Sequence, residues 1–120
     1  MLFVIHFKQT VPIDGAPRYT ALMNNECDVI DAYSTDGLLK KFDLQVLEDD
    51  KNFFLPYHAI PIVNNTIVDE YPEVADLINQ LQNYLNDDVM VELNYQVDEL
   101  NKKTSDVAKQ FLIENKLINE

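Results

Sequence analysis

The pattern of apolar residues changes near residue 66 of this 120-residue chain, and that change limits the folds available to it. Before this point, short apolar runs alternate with clusters of proline and turn-forming residues, which is typical of strands. After it, apolar residues recur at helical spacing, which indicates amphipathic helices. The sequence therefore predicts an α/β protein in which short strands of a mixed sheet are followed by C-terminal helices.

The predicted elements follow from local signals. The strand-like segments are residues 2–11, 28–33, 44–47 and 58–63. A short helix is predicted to begin near Pro17, with Asp14 as its cap, and to end at Asn24 and Asn25, because asparagine tolerates the left-handed conformation. Later helices are predicted to begin at Thr66, at Pro72, at Asp87 or Asp88, and at Thr104 or Ser105, where capping residues or proline precede apolar stripes.

The charge balance excludes some classes of partner. With 21 acidic and 9 basic residues, the net charge is −12, which argues against binding to nucleic acid or to anionic lipid. Solubility is the simplest interpretation of this charge, and a weak, salt-screened attraction of cationic solutes is the alternative. The opening residues 1–8 lack a basic region and a cleavage site, so we expect a buried strand there and no signal peptide.

Side-chain chemistry gives no indication of catalysis. The single cysteine, Cys27, cannot form an internal disulfide and is expected to be a small, half-buried residue. His6 and His58 lack ligand spacing to any Cys, Asp or Glu, and the only glycines, Gly15 and Gly37, form no phosphate loop. No Ser/His/Asp arrangement is supported by spacing. We therefore expect a protein that is not an enzyme and that uses neither a metal nor a cofactor.

Two tyrosines stand out by position. Tyr33 lies at the end of a predicted strand, and Tyr57 lies in the aromatic, proline-containing segment of residues 53–57. On pattern alone, a packed ring with its hydroxyl in water is the simpler interpretation of each, and contact with a ligand is the alternative.

Several segments together are more specific than the composition. They are DAYSTDG (31–37), LEDDK (47–51), FFLPY (53–57) and, later, LNYQVD (93–98). In order and spacing the chain resembles, from about residue 8 onward, the substrate-binding proteins of glycine betaine/carnitine/choline (osmoprotectant) ABC transporters. The resemblance covers only the C-terminal portion of such a protein.

The resemblance implies a two-lobed, type II periplasmic-binding-protein-like fold, here incomplete, that works with a membrane permease outside the cytoplasm. It implies that residues 1–34 end one lobe and that residues 35–120 belong to the other. It also implies that Tyr33 and Tyr57, 24 residues apart, contribute to an aromatic cage for a quaternary ammonium solute such as glycine betaine, choline or carnitine. Such a cage suits a trimethylated nitrogen, which has no N–H to donate and is attracted to ring faces by cation–π interaction.

The chain also departs from the family pattern. The family's N-terminal half has no counterpart, Leu55 replaces a proline, and residues 99–101 replace a stretch that often contains glycine. Since family strands pair with strands from the absent half, we expect open edges and self-association or marginal stability. Weak or no solute binding by the isolated chain is predicted. The alternative is an autonomous small interaction or dimerisation domain without transport activity.

Overall fold

The computed structural model describes residues 6–55 and 58–119. The chain divides into two compact units, unit 1 (Met1–Ala32) and unit 2 (Tyr33–Glu120). Unit 1 contains one helix in its described part, α1 (Pro17–Met23). The helices of unit 2 are α2 (Gly37–Lys41), α3 (Asn65–Glu70), α4 (Glu73–Gln80), α5 (Asp87–Asp98) and α6 (Thr104–Glu114), and a short 3-10 turn (Leu81–Asn83) follows α4.

Helix α1 forms the centre of unit 1. It begins at Pro17, whose fixed φ suits a first helical residue, and it buries Tyr19, which is only 2% exposed. It ends as predicted, with Asn25 at a φ of 58° just after the last turn. The predicted cap is wrong: the helix is preceded by Ala16 and has no side-chain cap, so Asp14 lies two residues too early to accept from the first turn.

Unit 2 is built around the packing of α2 and α6 against α5, while α3 packs on α4. Leu39 of α2 and Val107 of α6 are its buried apolar residues. Gly37, the first residue of α2, lies so close to α5 that a β-carbon there would be 2.7 Å from the backbone nitrogen of Tyr95. The absence of a side chain at this position therefore allows the two helix backbones to approach each other.

The helix starts of unit 2 are close to those predicted, but their caps differ. Asn64, rather than Thr66, caps α3, and its side chain accepts a hydrogen bond from the Thr66 backbone N–H at 2.9 Å. Asn86 caps α5 in the same way, and α4 begins directly after Pro72. Helix α6 starts at Thr104, but the cap predicted at Thr104 or Ser105 is wrong, because Lys103 occupies the cap position and no side-chain cap is formed.

The predicted strands are not found among residues 6–55 and 58–119, which contain helices, turns and coil only. Their apolar side chains remain in solvent, as shown by Leu47 at 75% and Ile62 at 91% exposure. A strand requires neighbouring backbone groups to complete its ladder of hydrogen bonds. These runs have β-forming composition but no paired neighbour in the described part of the chain, and the mixed sheet predicted from them is therefore absent there.

Candidate functional site

Tyr33 is the first residue of unit 2 and lies in a tight turn that leads into α2. The Asp36 backbone N–H donates to the Tyr33 carbonyl at 3.1 Å, and the Tyr33 N–H donates to the Asp36 carboxylate at 3.4 Å. The residue is 60% exposed. The turn thus holds both peptide groups of Tyr33 while much of the residue faces solvent, as a ligand-binding aromatic would require.

The turn is attached to α5 by two contacts. The Asn94 side-chain amide donates to the Thr35 carbonyl at 2.8 Å, and Gly37 approaches the α5 backbone beside Tyr95. Sequence reasoning missed both contacts. Gly37 carried a signal, since it is one of only two glycines, but the pattern identified it only as a turn residue.

Charged side chains reinforce the α2–α5 contact at its exposed rim. Lys40 forms an ion pair with Glu92, and Lys41 forms one with Glu99. The hydrogen bond from Lys40 lowers the pKa of Glu92 below its ordinary value. Lys40 also lies 5.0 Å from the ring centroid of Tyr95, so its charge is shared between a carboxylate and a ring face. Because these pairs are exposed, each contributes at most about 1 kcal/mol.

A second ordered segment is the acidic turn that leads toward Tyr57. The Asp49 carboxylate accepts hydrogen bonds from the backbone N–H groups of Phe53 at 3.0 Å and Phe54 at 2.9 Å. These bonds, the one from Phe53 first, hold the pKa of Asp49 below its ordinary value. Asn52 completes the bend at a φ of 49°. The Asp49 carboxylate therefore organises the start of the aromatic loop, residues 53–57.

The aromatic loop presents apolar side chains to solvent. The Phe53 and Phe54 rings meet edge to face with centroids 5.2 Å apart, and Leu55 beyond them is 88% exposed. Tyr57, the second predicted cage residue, lies outside the described residues, as does Pro56. The structure therefore positions Tyr33 and the start of the loop that carries Tyr57.

The remaining predicted residues have no evident ligand chemistry. Cys27 is half-buried, as expected, and both His6 and His58 are exposed. Across the described ranges, no group of three or more His, Cys, Asp or Glu is arranged to hold a metal ion. In that same part of the chain, no helix combines the length and apolar character needed to cross a membrane.

Two open depressions are present whose linings do not include Tyr33. One, of about 500 Å³, lies beside α1 and is lined by Ile13, Ala16, Pro17, Thr20, Ala21 and Glu26. The other, of about 440 Å³, lies along α6 and is lined by Asp106, Lys109, Gln110, Ile113 and Glu114. Neither is lined by an aromatic ring, so neither provides the ring faces that a quaternary ammonium group requires.

Residues 4–114 match the family described as the substrate binding domain of the ABC-type glycine betaine transport system. The chain belongs to this family of transporter substrate-binding domains. Among curated relatives, it is 40% identical over 111 residues to the carnitine transport binding protein of Listeria monocytogenes, a match that covers 92% of this chain. It is 36% identical over 121 residues to the glycine-betaine-binding protein of Pseudomonas aeruginosa, covering 99% of this chain.

A third relative is the ergothioneine transport permease/ergothioneine binding protein of Helicobacter pylori, 37% identical over 107 residues and 89% of this chain. The matches cover 36%, 39% and 19% of the Listeria, Pseudomonas and Helicobacter proteins. The chain thus spans little more than a third of its curated relatives at most. The family predicted from the DAYSTDG and LEDDK segments is confirmed, and its members are transport proteins rather than enzymes.

Proposed function

We propose that this chain is the C-terminal portion of a solute-binding protein for ABC-type import, and that it contributes Tyr33 and Tyr57 to a cage for a quaternary ammonium solute. The observation that carries the proposal is the position of Tyr33. Within the matched family region, it lies in a turn with both peptide groups held, and it is largely exposed. The family resemblance adds a membrane permease as partner and a location outside the cytoplasm.

The names of the relatives support a shared ligand chemistry. Carnitine, glycine betaine and ergothioneine differ in size and in their polar groups, but each contains a trimethylammonium group and a carboxylate. The charge of that group is spread over methyls, which makes an electron-rich ring face its natural partner. Tyr33 can present such a face, and the net charge of −12 adds a weak attraction for any cation.

The division of the chain into two compact units supports the two lobes proposed from the sequence, residues 1–34 and residues 35–120. Unit 1 ends at Ala32 and unit 2 begins at Tyr33, within two residues of the proposed crossing. The proposed strands at 28–33, 44–47 and 58–63 would form on pairing with further segments, of the kind that the relatives have outside the matched region. Their exposed apolar side chains are consistent with that need.

The affinity of the isolated chain is limited by the number of ring contacts. Two cation–π contacts contribute about 1–2 kcal/mol each when desolvated, or about 2–4 kcal/mol together. That sum corresponds to a dissociation constant of about 1 mM at best. We therefore expect choline, betaine or carnitine to bind the 120-residue chain only weakly, with dissociation constants of about 1 mM or above.

Choline titration followed by NMR tests the proposal. The control ligand is 3,3-dimethylbutan-1-ol, which has the shape of choline but carries no charge. We expect choline to shift the Tyr33 ring resonances at millimolar concentration and the neutral analogue to shift them far less. The Asp36 backbone amide, which donates to the Tyr33 carbonyl, should shift together with the ring and is the readout in the variants. Tyr33→Phe should keep this amide shift because it keeps the ring face, whereas Tyr33→Ala should lose it. Tyr71→Ala, which removes another exposed tyrosine, is the matched control.

Two results would count against this function. An equal response to choline and to its neutral analogue would show that cation–π attraction does not operate at Tyr33. Micromolar binding measured by calorimetry on the chain alone would contradict the limit set by two ring contacts and would mean that this chain carries a more complete site.

A second candidate is a small interaction or dimerisation domain. The chain exposes 10673 Å² of surface, whereas two separate compact bodies of these sizes would expose about 8,000 Å². Apolar side chains between residues 46 and 62 contribute to that surface. Size-exclusion chromatography with light scattering separates the two candidates. A defined dimer that responds to ligand favours the dimerisation domain, and a monomer or an aggregate favours the portion of a solute-binding protein.

A further inference from the structure

The Asn94 side chain is the polar link between α5 and the turn that carries Tyr33. Its amide nitrogen is 2.8 Å from the Thr35 carbonyl oxygen in a partly buried position, 59 residues away in sequence. A carbonyl oxygen only accepts hydrogen bonds, so the contacting atom of Asn94 must be its NH₂ group, and the assignment of donor and acceptor is unambiguous.

The Thr35 carbonyl has a particular place in the turn. It belongs to the same peptide group as the Asp36 N–H, which donates to the Tyr33 carbonyl, while the Tyr33 N–H donates to the Asp36 carboxylate. Holding the Thr35 carbonyl therefore fixes the plane of the peptide group that closes the turn. The peptide groups of Tyr33 follow, because the turn leaves them few other arrangements.

The other α2–α5 contacts lie farther along. Gly37 allows the backbones to approach each other at the start of α2, and the ion pairs of Lys40 and Lys41 act one turn later, at the exposed rim. These contacts hold helix α2 against α5. The hydrogen bond from Asn94, in contrast, joins α5 to the turn itself.

We propose that Asn94 is a positioning residue for solute binding: by holding the Thr35 carbonyl on α5, it fixes the turn that presents Tyr33 to the ligand. This inference rests on the proposed function, because it assumes that Tyr33 contacts the solute. It assigns to the polar face of α5 a role in preorganising the aromatic residue, which reduces the ordering cost of binding.

Amide hydrogen exchange of Asp36 tests the inference without any ligand. In Asn94→Ala, the loss of one hydrogen bond should raise the exchange rate of this amide about fivefold, with little change in the amides of α6. The matched control is Gln96→Ala, two residues along the same helix, which loses bonds to Glu92 and Lys102 but none to the turn. Gln96→Ala should leave the Asp36 amide unchanged.

Asn94→Asp is the second variant, because it conserves side-chain size while replacing the donor with an acceptor facing the Thr35 carbonyl. It should accelerate Asp36 exchange at least as much as Asn94→Ala does. Equal exchange at Asp36 in the parent chain and in both variants would overturn the inference, and so would an acceleration spread evenly over α5 and α6.

Choline titration of the same proteins connects the turn to binding. We expect Asn94→Ala to weaken the choline response of the Tyr33 ring about threefold or more, and Gln96→Ala to leave it within about twofold of the parent chain. A parent chain that does not respond to choline would overturn the proposed function. A parent chain that responds, with Asn94→Ala responding equally, would overturn the positioning role alone.

Discussion

The contact at Gly37 makes a sharp prediction about the α2–α5 packing. In Gly37→Ala, the new β-carbon would lie 2.7 Å from the Tyr95 nitrogen and 2.8 Å from the Tyr95 α-carbon. These are backbone atoms of a helix, which cannot rotate away as the end of a flexible side chain would. The first distance is about 0.7 Å short of the 3.4 Å at which ordinary contact begins, so the two helices must separate.

The expected cost follows from two opposing effects. Overpacking of a fitted contact costs about 1–3 kcal/mol, while replacing glycine by alanine where φ is permissive contributes about 0.4–1 kcal/mol through the unfolded chain. Taken at the middle of both ranges, the net loss in free energy of unfolding is about 1.3 kcal/mol. For a body the size of unit 2, this lowers the melting temperature by about 5–10 °C.

Thermal and urea unfolding followed by circular dichroism at a helical wavelength measures this loss. The control is Lys41→Ala on the same helix, which removes an exposed ion pair and should cost less than about 1 kcal/mol. Helix propensity alone predicts the opposite sign for Gly37→Ala, a gain of up to about 1 kcal/mol. A variant as stable as the parent, or more stable, would therefore refute the argument from close approach.

Two further predictions concern capping and pH. Asn86→Ala removes the acceptor of the Val89 N–H at the start of α5 and should lower the free energy of unfolding by about 1 kcal/mol. The control is Asn79→Ala, within α4, which should change the free energy of unfolding by less than about 0.5 kcal/mol. In the folded chain, the pKa of Asp49 is below its ordinary value of 3.8. Its hydrogen bonds to the aromatic loop are therefore fully present above pH 3.8, and they are lost as the pH falls through the pKa of Asp49 in the folded chain. The backbone N–H shifts of Phe53 should follow that titration; a midpoint at or above 3.8 would contradict the bonding.

The helices of unit 2 were largely predictable because their signals are local. Pro72 and Thr104 mark the starts of α4 and α6 in the sequence, and the apolar spacing after Thr104 places Val107 on the buried side of α6. The caps were less certain because several adjacent residues have capping chemistry, and Asn64 rather than Thr66 has the geometry to accept. Helix α2 was missed because it is five residues long, too short for a periodic pattern.

The strands and the site could not be derived in the same way, because both depend on partners distant in sequence. An apolar run such as residues 58–63 has β propensity, yet it becomes a strand only where another segment pairs with it. The attachment of Thr35 to Asn94 joins residues 59 positions apart, and no local pattern encodes it. Tyr33 was identified through the family resemblance, since its sequence pattern alone made a packed ring the simpler interpretation.

The helix ends of this chain have a consequence for its evolution. Asn25, Asp43 and Lys116 adopt positive φ just after α1, α2 and α6, a conformation that costs residues with side chains about 1 kcal/mol and glycine very little. A lineage moved to a hotter habitat could recover that energy by single codon changes at these termini, leaving the Tyr33 turn untouched. We expect laboratory selection for heat tolerance to enrich glycine at residues 43 and 116; enrichment confined to other positions would argue against this.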